Sequence, residues 1–201
     1  MILPESFYTR KDVVRIAKEL LGKVLVTHID GVYTSGMITE TEAYAGASDK
    51  ASHAFGNKRT NRTEIMYAHG GVAYVYLCYG IHNLFNVVTN IQDVPHAVLV
   101  RAVEPIDGVE YMLQRRGKDV LVPALTSGPG SMSAALGIHT ELTGYSLNDV
   151  HVYIEDRGYK IHSKQIEAVT RVGVAYAEED ALLPYRFFII GNKYVSKGKG
   201  L

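Results

Sequence analysis

An α+β fold made of a single domain over residues 1–201 is what this chain predicts, on three observations. One helical pattern near the N-terminus gives way to a series of strand-length apolar runs. Two turns, Asp30-Gly31 and Tyr79-Gly80, join runs that read as β-hairpins. No linker, repeat or low-complexity segment divides the chain.

The elements follow in order. Thr9 with Asp12 makes a capping pair for a helix through Val13, Ile16, Ala17, Leu20 and Leu21, stopped by Gly22. Residues 23–29 and 32–44 are strands across Asp30-Gly31, and residues 45–69 are a long polar loop of a length that is usually functional or disordered. Residues 72–89 form the second hairpin, whose tip Tyr79-Gly80-Ile81-His82 presents an aromatic ring and an aliphatic side chain to solvent. A strand over residues 97–103 leads to a helix near 106–116, and Ser127-Gly128-Pro129-Gly130 opens a short helix that Gly137 ends. That glycine turn lacks the lysine of a phosphate loop and reads as a helix entry. The last third is β-rich, with strands predicted in residues 165–174 and 185–190.

Composition narrows the classes. At 201 residues the chain can bury a full-sized core, and its longest apolar stretches are too short to span a membrane. The N-terminus lacks the stages of a signal peptide, so a cytoplasmic protein is expected. Met1 stands close before the first predicted helix, leaving no long regulatory tail, which suits a bacterial protein. The lone Cys78 excludes an internal disulfide framework and reads as a small core residue. No His-Glu-x-x-His spacing occurs, so neither a catalytic metal nor a cofactor is expected.

Net charge is zero, with 21 basic residues against 21 acidic ones, yet the basic residues cluster. Lys58, Arg59 and Arg62 face only Glu64 within the 53–69 loop; Arg115, Arg116 and Lys118 form a second group, and Lys193, Lys197 and Lys199 a third. The first group suits phosphate contact best, because it lies between the two runs that carry the candidate chemistry.

Those runs are Glu40-Thr41-Glu42-Ala43-Tyr44 and Gly71-Val72-Ala73-Tyr74-Val75-Tyr76-Leu77-Cys78-Tyr79-Gly80. Glu40, Glu42 and Tyr44 share one strand face, with the acids about 7 Å apart. Such a pair could bind a metal, act as an acid/base couple or sit solvated at an edge, and the spacing does not say which glutamate matters. Tyr74 and Tyr76 share a face of the hairpin, and Tyr79 sits at its turn. An exposed ring there is of the kind used to enter a base stack.

Together with His53, Asn86, Val100-Arg101-Ala102-Val103-Glu104-Pro105, Ser127-Gly128-Pro129 and Arg171-Val172-Gly173-Val174, these runs resemble the alkyladenine (3-methyladenine) DNA glycosylase family, the N-methylpurine-DNA glycosylases. The match is collinear from Leu21-Gly22-Lys23 to Arg186-Phe187. It implies a curved antiparallel β-sheet with flanking helices and a protruding hairpin. It also implies a monomer that acts on double-stranded DNA containing damaged purines, such as 3-methyladenine, 7-methylguanine, ethenoadenine or hypoxanthine, without a metal or a cofactor.

The resemblance assigns roles to single positions. Glu42 would activate water, helped by Arg101 and the backbone carbonyl of Val172. Tyr44, His53 and Tyr76 would sandwich the flipped base, and Asn86 would crowd the exocyclic amine of guanine. Tyr79 would fill the gap left in the duplex, with Ile81, His82, Lys58, Arg59 and Arg62 on the DNA. His82 departs from eukaryotic relatives, which carry a further aromatic residue there. No lysine stands at the acid's position, so a monofunctional enzyme that leaves an abasic site is implied. Two rival readings remain from the residues alone: a nucleic-acid binder without catalysis, and a sugar hydrolase that uses Glu40 and Glu42 as a pair.

Overall fold

The computed structural model of the protein describes residues 1–198 and 200. A short helix, α1 (Glu5–Tyr8), precedes α2 (Val13–Leu20). Helix α2 buries Val13, Ile16, Ala17 and Leu20, the stripe expected from a 3.6-residue period. Its cap differs from the expected Thr9 pair. Thr9 ends α1, and the Asp12 side chain itself accepts from the Arg15 N–H at 2.9 Å. Two adjacent helices compete for the same polar residues, and the missed four-residue α1 decides the outcome.

Among the described residues eight antiparallel strands form one curved sheet: β1 (Val24–Ile29), β2 (Val32–Tyr44), β3 (Ala73–Cys78), β4 (His82–Thr89), β5 (His96–Asp107), β6 (Val152–Glu155), β7 (Ile166–Val169) and β8 (Arg186–Ile189). The order is β3-β4-β5-β2-β1-β6, with β8 also on β2 and β7 beyond it. Long β2 is the hub. One edge pairs with β5, while the other pairs first with β1 and then, at residues 40–42, with β8.

Two opposite register shifts lie side by side between β2 and β5. Ile38 faces Val103, Glu40 faces Ala102 and Thr41 faces Val100, so Thr39 is the extra residue on β2 and Arg101 the extra residue on β5. Bulges of this kind re-aim a side chain. Below them Thr41 donates its hydroxyl to the Ala17 carbonyl at 2.9 Å, which sets one face of β2 under α2. Glu40 and Glu42 therefore point to the opposite face.

The helices α3 (Val109–Arg116) and α4 (Pro129–Leu136) pack on each other, and α4 lies on β4 and β5. The main core joins Ile16, Leu20, Leu25, Phe85, Met112 and Phe187. Strand β5 runs four residues past the predicted end at Val103, to Asp107, and Gly108 in the left-handed region (φ 68) starts α3 later than expected. Only Ile166–Val169 of the predicted 165–174 strand is extended, and β6 was not foreseen. Within residues 45–69 the chain forms three short 3-10 turns and buries Ala51, Ala54, Met66 and Tyr67. No helix among the described residues is long and apolar enough to cross a membrane.

Candidate active site

A cavity of about 670 Å³ opens beside the bulges, bordered by Glu42, Tyr44 and Arg101. Glu40 and Glu42 are both fully buried, so each must be compensated by donors. Glu40 Oε1 accepts from the Nε atoms of Arg101 and Arg186, each at 2.7 Å, and from the Ser196 hydroxyl, while Oε2 accepts from the Ser196 N–H at 2.7 Å. Glu42 is held more lightly. Its Oε1 accepts from the Val172 N–H at 2.8 Å and pairs with Arg101 Nη1 at 3.1 Å, and its Oε2 accepts from the Tyr44 hydroxyl at 2.8 Å.

Arg101 thus bridges the two acids. Burial alone would lower its pKa, but Glu42 and Glu40 more than offset that and raise it. The Val172 contact is made by its N–H, whereas its carbonyl was the expected acceptor. Tyr44 is raised well above its ordinary range by burial first and then by the charge on Glu42, so its hydroxyl stays a donor.

Rings line the other walls. His53 and Tyr76 meet edge to face with centroids 4.7 Å apart, and Tyr74 lies 5.5 Å from Tyr76. That contact leaves no slot between His53 and Tyr76, so the two rings act as one wall. Arg171 covers one face of Tyr44 at 4.8 Å, leaving the other face for stacking. Arg62 Nη2 donates to His53 Nε2 at 3.4 Å, which puts the ring proton on Nδ1, 3.0 Å from the Tyr74 oxygen. Burial, reinforced by Arg62 and Lys58, lowers the His53 pKa from 6.5 to about 4, and the ring is neutral at neutral pH. Asn86 faces Tyr74 across the hairpin and spends both amide hydrogens on the Tyr74 and Leu84 carbonyls.

The rim is set by the turn between β3 and β4. Tyr79 (φ 50) and Gly80 (φ 73) are both left-handed, the pattern of a type I′ turn, and the Ile81 N–H donates to the Cys78 carbonyl. Left-handed backbone is costly for a tyrosine. The ring is 93% exposed and Ile81 is 71% exposed. Next to the main cavity a second hollow of about 430 Å³ is lined by Lys50, Lys58 and Arg62.

The family model described as Methylpurine-DNA glycosylase matches residues 6–193. The chain belongs to that family. It is 47% identical to a protein of Chlamydia abortus over 94% of this chain and 98% of that one. It is 45% identical to a protein of Clostridium acetobutylicum over 98% of both chains. A protein of Bacillus thuringiensis is 44% identical over 98% of this chain and its own full length. Each of the three bears the name "Putative 3-methyladenine DNA glycosylase".

Of the residues that the resemblance singled out, Glu42, Tyr44, His53, Arg62, Tyr76, Tyr79, His82, Asn86, Arg101 and Val172 border the 670 Å³ cavity. Lys58 stands in the neighbouring hollow and Ile81 on the exposed tip. Arg59 is committed elsewhere, to Glu64 at 2.7 Å and Asp93 at 2.8 Å. Lys199 lies outside the described residues. Cys78 is half-buried at the cavity wall, not in the core. Gly128-Pro129-Gly130 does open α4, and it also lines the cavity.

Sequence reasoning placed Arg171 within a matching run but assigned it no role; it pairs with Asp49 at 2.6 Å with both side chains buried. An arginine inside a predicted strand carries no mark of such a distant partner. Sequence reasoning missed Tyr176 on the rim and Ser196 beneath the acids. Tyr74 was read only as part of a strand face.

Proposed function

We propose that the protein removes alkylated or otherwise damaged purines from double-stranded DNA by flipping the nucleotide into the 670 Å³ cavity and hydrolysing its N-glycosyl bond. The substrates are 3-methyladenine and 7-methylguanine, with ethenoadenine and hypoxanthine as neutral ones. Glu42 activates the water, and the product is an abasic site in an unbroken strand. The protein works as a monomer in the bacterial cytoplasm.

The observation that carries this reading is the state of Glu42. Its Oε2 takes a single donor, the Tyr44 hydroxyl, and keeps a lone pair for water at the cavity edge. A cationic alkylpurine leaves readily, so the enzyme's tasks are extrusion, water placement and support of the oxocarbenium-like sugar. A carboxylate serves the last two. A neutral His53 in the ring wall suits a cationic base. The sugar-hydrolase reading needs a second free acid, and Glu40 is spent on Arg101, Arg186 and Ser196.

The test is a gel assay on duplexes with one 1,N6-ethenoadenine, 7-methylguanine or hypoxanthine, run in EDTA because side chains alone hold the water. Strand breakage only after alkali is expected. Breakage without alkali would contradict the monofunctional chemistry, and no product from any lesion would overturn the enzymatic reading.

A further inference from the structure

The buried acids are closed from below by the C-terminal segment, which runs from the last residues of the family match to beyond them. Its anchors are the Asn192 side chain, which donates to Glu104 at 2.8 Å, and the buried Tyr194. The Ser196 N–H and hydroxyl both donate to Glu40, at 2.7 and 2.9 Å. The same hydroxyl oxygen accepts from Arg101 Nη2 at 3.3 Å. The Gly198 carbonyl accepts from Arg186 at 2.7 Å. Gly198 also lies so close to the site that a Cβ there would come within 3.2 Å of Val172 and 3.3 Å of Arg101 Nη2.

Every nitrogen of the Arg101 guanidinium is therefore assigned. Nε holds Glu40, Nη1 holds Glu42 and Nη2 holds Ser196. A planar guanidinium held at two edges by carboxylates of one strand can still tip toward the closer one. Glu40 is that one, at 2.7 Å against 3.1 Å for Glu42. The Ser196 oxygen pins the Nη2 end of that same edge, so with Glu40 on Nε it fixes the plane in which Nη1 reaches Glu42.

We propose that Ser196 is a positioning residue for base excision: it fixes the plane of Arg101, and through Arg101 the carboxylate of Glu42. The inference rests on the reading that Glu42 activates water. Ser196 touches neither substrate nor water. It keeps Arg101 shared between two acids, so that Glu42 stays aimed at the cavity and Arg101 Nη1 stays beside it.

Ser196→Ala, Ser196→Thr and Glu42→Gln would be compared with wild type in single-turnover excision of ethenoadenine, in affinity for the same duplex and in Tm. Ser196→Ala should lose about tenfold in the excision rate, the scale of one hydrogen bond to a charged group. Its affinity and Tm should stay near wild type, and Ser196→Thr should recover the rate. Wild-type excision by Ser196→Ala beside an inactive Glu42→Gln overturns the proposal. So does a loss of rate that tracks a fall in Tm and is not restored by threonine, since the segment is then only structural. An active Glu42→Gln sinks the underlying reading instead, and the positioning role with it.

Discussion

The Tyr44 hydroxyl donates to Glu42 Oε2 at 2.8 Å, on the oxygen that neither Arg101 nor Val172 reaches. The ring that lines the cavity is thus also the group that orients the acid. Arg171 ties this pair to the rest of the wall, because it stacks on Tyr44, donates to both carboxylate oxygens of Asp49 and precedes the residue whose N–H holds Oε1.

Tyr44→Phe should separate those two duties. The ring remains and one donor to a buried carboxylate is lost, so excision should slow about 10- to 100-fold with affinity for damaged duplex retained. Tyr44→Ala should lose affinity as well. Equal behaviour of the two variants, measured by single-turnover rates and binding titrations, would show that the hydroxyl is idle.

His53 makes a prediction about pH. Its folded-state pKa is lowered from 6.5 to about 4, so the unfolded chain takes up the proton first. The stability contributed by the neutral buried ring is full above about pH 6.5 and is lost as pH falls through the window down to 4. NMR titration of the His53 ring should give a midpoint near 4, and Tm should fall less steeply over that window in His53→Gln than in wild type. A midpoint at the ordinary imidazole value would contradict this.

Much of this site was legible because its chemistry is local. Asp30 (φ 53) with Gly31 (φ 75) adopts the left-handed turn that both residue types favour, and Gly80 marks the second turn although left-handed backbone is costly at Tyr79, so both hairpins could be placed. Glu42 and Tyr44 share a strand face for the same short-range reason. The setting of Arg101 was not legible, since a bulge adds one residue to a strand without changing its composition. Arg171 with Asp49, and Ser196 with Glu40, are joined across more than a hundred residues, and no periodicity records such a pairing. The loop between β2 and β3 reads as polar, yet the turns inside it bury Asp49 and bring His53 to Tyr74.

The cations of that loop should not contribute alike to DNA affinity. Lys58 has no acidic partner among the described residues, while Arg59 is engaged by Glu64 and Asp93. Lys58→Ala should weaken binding across sequences and reduce the slope of log K against log salt by about one. Arg59→Ala should leave the slope unchanged. The reverse order would place the DNA on the other side of the loop.

Tyr79 should act by filling the space that an extruded nucleotide vacates. Tyr79→Gly is the cleanest variant, since glycine adopts φ 50 without strain and the turn should persist. Extrusion costs a few kcal/mol of unstacking and unpairing, less at a mismatch. The variant should therefore excise slowly from a matched duplex and closer to wild type opposite a mismatch. Equal losses in both contexts would mean that the ring does not plug the duplex.

Glu42→Gln isolates the activation of water from binding. The substitution keeps the shape and the Arg101 neighbourhood but removes the base. Single-turnover excision of ethenoadenine should fall by about 10²–10⁴-fold, the usual worth of general-base help, with affinity for the damaged duplex held within a few-fold. An excision rate close to wild type would contradict the assignment of water activation to Glu42, and an equal loss in Glu40→Gln, with its fold intact, would move that assignment to the pair.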